Sequence, residues 1–186
     1  MARYCAACAE DVAPIDDPAS QLVRCPGCGL ALGTMAGSGQ KDVASAEPWF
    51  KTVLVAEDTR LTREIVKVGL VEAGLAGHVF VAEDGQQFLR LFTEHAYRDQ
   101  PVDLCILDLE MPVLDGASTA VAMRAIEQGC AARPAPVIFF TGHPINDNIR
   151  SYLRFCKPAH YLNKGQDASP PRIVKRLREV MRALQM

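Results

Sequence analysis

No apolar run in this chain approaches the roughly 18 residues needed to cross a membrane; the longest, such as Val137 to Phe140, are far shorter. The first residues, Met-Ala-Arg-Tyr-Cys, lack the apolar stretch of an export signal. A cytoplasmic location without membrane contact is therefore the expectation. A basic excess is missing too. The formal net charge is −2, so no global field draws nucleic acid. Residues 1–50 hold three bases (Arg3, Arg24, Lys41) against six acids (Glu10, Asp11, Asp16, Asp17, Asp42, Glu47), and Tyr4 is the only aromatic before residue 34. Acidity and scarce aromatics argue against a nucleic-acid partner for that segment. Internal repeats are absent, and residues 34–48, small and polar, are the one stretch with the composition of a linker.

What is present divides the chain in three. Of seven cysteines, Cys5, Cys8, Cys25 and Cys28 crowd the first thirty residues, while Cys105, Cys130 and Cys156 are scattered. An odd count without an export signal argues against a disulfide framework. Two Cys-x2-Cys pairs separated by 16 residues can instead direct four sulfurs at one ion. Glycines around Cys25-Pro26-Gly27-Cys28-Gly29 would let backbone amides face the sulfurs. The segment resembles a zinc ribbon. Zinc is the expected ion, with an iron site of the rubredoxin kind as the alternative. Four cysteines leave no open position, so the expected role is structural, and a piece this short would owe most of its folding to the metal. Protein binding is the favoured use of the module. Cys105 is expected to be an ordinary buried thiol.

From about Trp49 onward, apolar strand runs alternate with amphipathic helix patterns. The strands are expected at Thr52–Ala56, His78–Ala82, Leu104–Leu107, Val137–Phe140 and His160–Asn163, mostly continuous apolar runs of the kind covered on both faces. Helical spacing relates Leu61, Ile65 and Val68, and likewise Phe88 and Phe92. Ile173, Val174, Leu177, Val180, Met181 and Leu184 form a stripe after Ser169 and two prolines. The faintest helix pattern runs from about Asn146 to Cys156. The expected fold is α/β, a flavodoxin-like doubly wound five-stranded parallel sheet, (βα)5, behind a small N-terminal zinc ribbon. The expected domains are residues 1–33 for the ribbon, 34–50 for a flexible linker and 51–186 for the sheet domain.

Polar groups cluster at the expected strand ends, where such sheets place their sites. Glu57 and Asp58 follow the first strand, Asp108 the third, Thr141 the fourth and Lys164 the fifth. Three mutually repulsive carboxylates suit a hard divalent cation such as Mg²⁺, and a carboxylate can be the nucleophile that forms an aspartyl-phosphate. Mg²⁺, the Lys164 ammonium and the Thr141 hydroxyl would neutralise phosphoryl oxygens.

Residues 52–186 resemble the receiver domain of response regulators in two-component systems. The resemblance is carried by Glu57-Asp58 after Val-Leu-Val-Ala, by Asp108-Leu-Glu-Met111-Pro112-Val-Leu-Asp115-Gly116, by Thr141-Gly142 and by Tyr161-Leu-Asn-Lys164-Gly165. Steps of 50, 33 and 23 residues from Asp58 to Asp108 to Thr141 to Lys164 are similar to the family's order. It implies that Asp108 accepts phosphate from a histidine kinase or phosphotransfer protein. Glu57, Asp58, Asp108 and the main-chain carbonyl of Glu110 would hold Mg²⁺, and Lys164 and Thr141 would contact the phosphate. Tyr161 stands where the family often places a switch aromatic that turns inward with Thr141; packing on the sheet is the plainer alternative. Glu110 and His143 are implied to tune phosphate lifetime. Two departures stand out: Glu57 replaces the commoner Asp, and Gly165 replaces the frequent Pro. Lys157-Pro158 could be taken for the Lys-Pro motif, but only Lys164 follows an apolar run at the right distance.

The expectation is thus a phosphorelay switch and not a conventional enzyme. With no further domain expected after the fifth helix, it would signal to a downstream protein through the face of the fourth helix, fifth strand and fifth helix, through the ribbon, or by forming a homodimer. The rivals are a phosphate-independent pseudo-receiver adaptor, a nucleic-acid-binding adaptor working through the ribbon, and a phosphatase using Asp108. The last is disfavoured, because Glu110 stands where such enzymes carry a second Asp.

Overall fold

The computed structural model describes residues 2–35, 47–98, 100–165 and 169–185. The N-terminal segment is built from very short strands. β1 (Arg3–Cys5) and β2 (Glu10–Val12) form an antiparallel hairpin. β3 (Ile15–Asp17), β4 (Leu22–Arg24) and β5 (Ala31–Thr34) form a three-stranded antiparallel sheet. Each cysteine pair spans a tight turn: Ala9 N–H donates to the Cys5 carbonyl at 2.8 Å and Gly29 N–H to the Cys25 carbonyl at 2.9 Å. Gly29 holds φ +76°, a left-handed conformation glycine adopts without strain.

Five strands then form one parallel sheet in the order β10-β9-β8-β6-β7. They are β6 (Phe50–Ala56), β7 (Ala76–Ala82), β8 (Leu104–Leu107), β9 (Val137–Thr141) and β10 (Ala159–Asn163). The helices are α1 (Arg60–Glu72), α2 (Gly85–Tyr97), α3 (Gly116–Gly129), α4 (Asp147–Phe155) and α5 (Pro170–Ala183). β8 and β9 are buried along their whole length, as continuous apolar runs between two helical layers should be. One apolar layer joins Val53, Val55, Ile106, Ile138 and Phe140 to Val66, Leu70, Leu177 and Val180. The other joins Leu54, Leu107 and Phe139 to Phe88, Phe92, Ala120 and Met123. Short polar side chains set the helix starts: Asp84, Asp115 and Asn146 each accept from the amide three residues on, and α5 begins on Pro170. Cys105 is fully buried in β8. Among the described residues no helix is long and apolar enough to cross a membrane.

Of the expected linker 34–50, residues 36–46 lie outside the described residues; Thr34 pairs with Leu22, and Phe50 is buried at the start of β6. α1 forms where the spacing of Leu61, Ile65 and Val68 placed a helix, but of the three only Ile65 packs on the core. Leu61 is 70% and Val68 46% exposed, and the buried positions are Arg63, Val66 and Leu70. The cause is polar: the Arg63 guanidinium donates to the main-chain carbonyls of Glu57 at 2.6 Å and Asp58 at 3.2 Å, and to Glu83 Oε1 at 2.9 Å. Those bonds satisfy Arg63 on the buried side that it shares with Val66 and Leu70.

The ribbon does not stand apart from the sheet domain. Cys5, Ala6, Ala7, Cys25 and Leu30 belong to the same apolar cluster as Ile149, Tyr161, Ile173 and Leu177, which seats the ribbon on the side made by α4, β10 and α5. One consequence involves His160 on β10. Burial, and then the charge of Arg24 on β4, hold its pKa below the ordinary imidazole value. The unfolded chain therefore binds a proton that the folded chain refuses. Stability is expected to fall as pH drops through about 6.5, and His160→Gln should flatten that slope. Urea midpoints across this range, with and without the substitution, check it; equal slopes for both proteins would refute it.

Candidate functional site

The order of the sheet fixes where a site can form. β6 lies between β7 and β8, so successive connections leave in opposite directions and a crevice opens at the carboxyl ends of β6 and β8. β6 ends at Ala56 beside Leu107 of β8. The next residues, Glu57 and Asp58 on one side and Asp108 on the other, therefore enter the crevice together. Oxygens of all three carboxylates lie within 4.8 Å of one another. β9 adds Thr141, paired with Asn163 of β10, and the residue after Asn163 is Lys164.

The Lys164 ammonium occupies the middle of the acids, 2.6 Å from Asp108 Oδ2 and 3.0 and 2.8 Å from the two Glu57 oxygens. It also lies 5.4 Å from the centre of the Phe140 ring. Lys164, and not Lys157, is thus the lysine of the site. Glu57 is 1% and Asp108 4% exposed. Burial raises the pKa of both carboxyls, and Lys164 offsets only part of that rise. For the ammonium itself burial works the other way, but its bonds to Asp108 and Glu57 prevail and its pKa is raised. Glu57 Oε2 is buried and, despite the nearby ammonium, makes no hydrogen bond of acceptable geometry. An all-oxygen set with one such unsatisfied buried atom suits a hard divalent ion.

The rim is formed by two loops. Glu110 N–H donates to Asp108 Oδ1 at 3.3 Å, and His143 N–H to Thr141 Oγ1 at 3.2 Å. The side chains of Glu110 and His143 meet at 2.6 Å. Val113 takes φ +66°, a left-handed conformation unusual for a β-branched residue, and Leu114 N–H closes the turn onto the Pro112 carbonyl at 2.7 Å. A Cβ on residue 116 would collide with the Asp108 carbonyl, so glycine lets α3 start directly beneath the acid. Tyr161 is buried; its hydroxyl donates to the His143 carbonyl at 2.6 Å and accepts from Asn163 Nδ2 at 2.9 Å. Arg63, which anchors the main chain of the acid pair, is the residue that sequence reasoning missed. A charged residue at a core-facing position of α1 was its only signal.

A second cluster lies in the ribbon. The four cysteines are unbridged, and their sulfurs fall within 4.8 Å of one another. Cys5 and Cys28 Sγ are 3.6 Å apart, and Cys8 and Cys25 Sγ 3.8 Å. A tetrahedron with metal–sulfur bonds of about 2.3 Å has edges of about 3.8 Å, so the four residues fit one tetrahedral ion. Gly27 lies against this cluster: a Cβ there would stand 3.5 Å from Cys8 Sγ and 3.6 Å from Cys25 Sγ.

Comparison with known proteins bears on the sheet domain. Residues 53–178 match the family described as the response regulator receiver domain. The peroxide stress-activated histidine kinase mak3 of Schizosaccharomyces pombe is 31% identical over 112 residues, which are 60% of this chain and 5% of the kinase. This chain therefore spans a small part of that relative. The solved receiver domain of the response regulator NarL from Mycobacterium tuberculosis is 29% identical, with a TM-score of 0.56 over 73% of this chain and 98% of that one. The Mg²⁺ complex of the receiver domain of the Arabidopsis thaliana histidine kinase CKI1 shares the fold at 23% identity, with a TM-score of 0.60 over 72% of this chain and 91% of that one.

Proposed function

The chain belongs to the response regulator receiver domain family, and from that premise we propose that it accepts a phosphoryl group on Asp108 in a two-component phosphorelay. Receiver domains are phosphoacceptor signalling modules, not conventional enzymes. The observation that carries the reading is the contact of the Lys164 ammonium with Asp108 at 2.6 Å beside Glu57 and Asp58. A cation already stands where the charge of an incoming phosphoryl group would develop.

In the proposed reaction an Asp108 oxygen attacks phosphorus, the bond from phosphorus to the donor breaks, and the donor leaves with the electron pair. The donor is a histidine kinase or a phosphotransfer protein. Glu57, Asp58, Asp108 and the Glu110 carbonyl would hold Mg²⁺, which when bound supplies neutralisation of the phosphoryl oxygens. Lys164 pairs with one oxygen. Thr141, released from the His143 amide, donates its hydroxyl to another. That release shifts the loop carrying the His143 carbonyl and so reaches Tyr161, which serves as the switch aromatic. The Glu110–His143 pair stands over the path of hydrolytic water and sets phosphate lifetime. In the ribbon, Cys5, Cys8, Cys25 and Cys28 hold zinc, and a downstream protein meets the outer surface of the ribbon, which itself covers part of the side made by α4, β10 and α5.

Incubation with Mg²⁺ and acetyl phosphate is expected to add about 80 Da, one phosphoryl group, to the native chain and nothing to Asp108→Asn. Intact-protein mass reads the result. No gain from acetyl phosphate or from a panel of phosphorylated kinases would leave a docking module that works without phosphate.

A further inference from the structure

The segment that presents Lys164 is held from outside the sheet domain. The Asn163 amide donates to the carbonyl of Ala7, in the first cysteine turn, at 2.7 Å. Arg176 of α5 is only 7% exposed. Its guanidinium donates to the carbonyls of Ala6 at 2.7 Å, Ala7 at 3.3 Å and Lys164 at 3.3 Å. The remaining main-chain group of Lys164, its amide, donates to the Thr141 carbonyl at 2.7 Å. One side chain therefore ties the ribbon to the residue whose ammonium touches Asp108.

The next residue is fitted to the same clamp. Gly165 takes φ +77°, and a Cβ there would stand 2.9 Å from Arg176 Nη1 and 4.0 Å from the Ala9 Cβ. Its amide donates to Asn163 Oδ1 at 2.6 Å. Proline could neither adopt that angle nor make that bond, which gives a physical reason for the departure from the frequent Lys-Pro. The second cysteine turn rests on the other loop of the site. A Cβ at Gly27 would lie 3.8 Å from Ile145 Cγ2, and Arg150 reaches the Gly27 carbonyl at 3.4 Å.

We propose that the cysteine ribbon is a built-in part of the phosphoacceptor site, with Arg176 as the positioning residue through which the metal-bound first turn fixes Lys164 against Asp108. This rests on the reading of Asp108 as acceptor. Phosphoryl transfer depends chiefly on positioning and on charge already in place. A ribbon that holds the Lys164 backbone accelerates the gain of phosphate, and loss of its ion slows that gain without any change in the acids.

The test uses the full chain, loaded with zinc, in Mg²⁺ and acetyl phosphate. Arg176→Met, which keeps a long stem and removes every donor, is expected to take up phosphate at least about fivefold more slowly, the lower end of ordinary coupling. Before any phosphate is added, it should also exchange the amides of Asn163 and Lys164 faster. Stripping the ribbon ion from the native chain, with Mg²⁺ in excess, should give both effects, and added zinc should reverse them. That arm decides the matter if Arg176→Met misfolds. Native uptake rates in both arms would overturn the proposal and leave the ribbon a passenger, as would unchanged exchange at Asn163 and Lys164. A native chain that takes up no phosphate at all would instead remove the acceptor reading, and this inference with it.

Discussion

Metal-selective chelation, or Cys25→Ser, is expected to unfold residues 3–34 while the five-stranded sheet survives. The ribbon strands are three or four residues long. Six of the ribbon's residues form its buried apolar set: Cys5, Ala6, Ala7, Val23, Cys25 and Leu30. Two of those six are prospective ligands, and two more are alanines, so the apolar area available is far below what a domain needs to fold unaided. Structural zinc contributes on the order of 10–16 kcal/mol to such modules, several times any other term acting on this segment. The sheet domain has one apolar layer wholly its own and supplies most of the other, so it is expected to survive loss of that ion. Hydrogen exchange on peptides from 3–34 and from 104–141, before and after metal removal, reads both halves of the expectation. Undiminished protection of 3–34 in a chain shown to be free of metal would refute it.

The second large effect is expected from Lys164→Met. In the native chain one ammonium serves two carboxylates whose side chains are 1% and 6% exposed, and is itself 21% exposed. Removing it leaves Glu57 and Asp108 facing each other with no cation between them, each keeping one long bond from an amide, of Thr59 and Glu110 respectively. Breaking a buried pair from one side costs about 3–5 kcal/mol. Mg²⁺ should recover much of that loss, because it can take over the same oxygens. The pH dependence has a definite sign. Burial raises both carboxyl pKa values in the folded chain despite Lys164. The folded state therefore holds protons that the unfolded state has released. Stability falls as pH climbs from the ordinary carboxylate range through the raised folded values, more steeply in Lys164→Met than in the native protein. Denaturation midpoints with and without Mg²⁺ check this; a variant as stable as the native chain, at neutral pH and without Mg²⁺, would show that the ammonium is not what holds the acids.

The reason part of this architecture could be read in the sequence is local. β8 is a run of four apolar residues bounded by charge, so Leu104–Leu107 could be placed residue for residue. The groups that meet in the crevice each directly follow an apolar run, and strand ends converge in a doubly wound sheet. α4 was faint because its single fully buried residue is Ile149, yet Asn146 marked its start. The helix of α1 was legible but its buried side only in part, because hydropathy ranks Leu61 and Val68 above Arg63 and cannot see that a guanidinium has three main-chain and side-chain oxygens waiting. The seat of the ribbon was invisible for a different reason. Its polar contacts fall on backbone carbonyls at Ala6, Ala7 and Gly27, which every residue type carries. Only Gly165 in place of the frequent Pro left a mark on the sequence, and its meaning needed Arg176 beside it.

The bond from Arg176 to Ala6 joins positions 170 apart in the chain. During synthesis the ribbon emerges well before α5, at some 5–20 residues per second. For several seconds, then, the cysteine turns exist without the surface that will cover Cys5, Ala6 and Ala7. A segment with so little apolar area can persist through that interval only by capturing its ion early. The expected order of assembly is accordingly metal first, sheet second and the join between them last, so a cell short of the ion is expected to accumulate chains whose sheet is complete but whose edge at β10 lies bare.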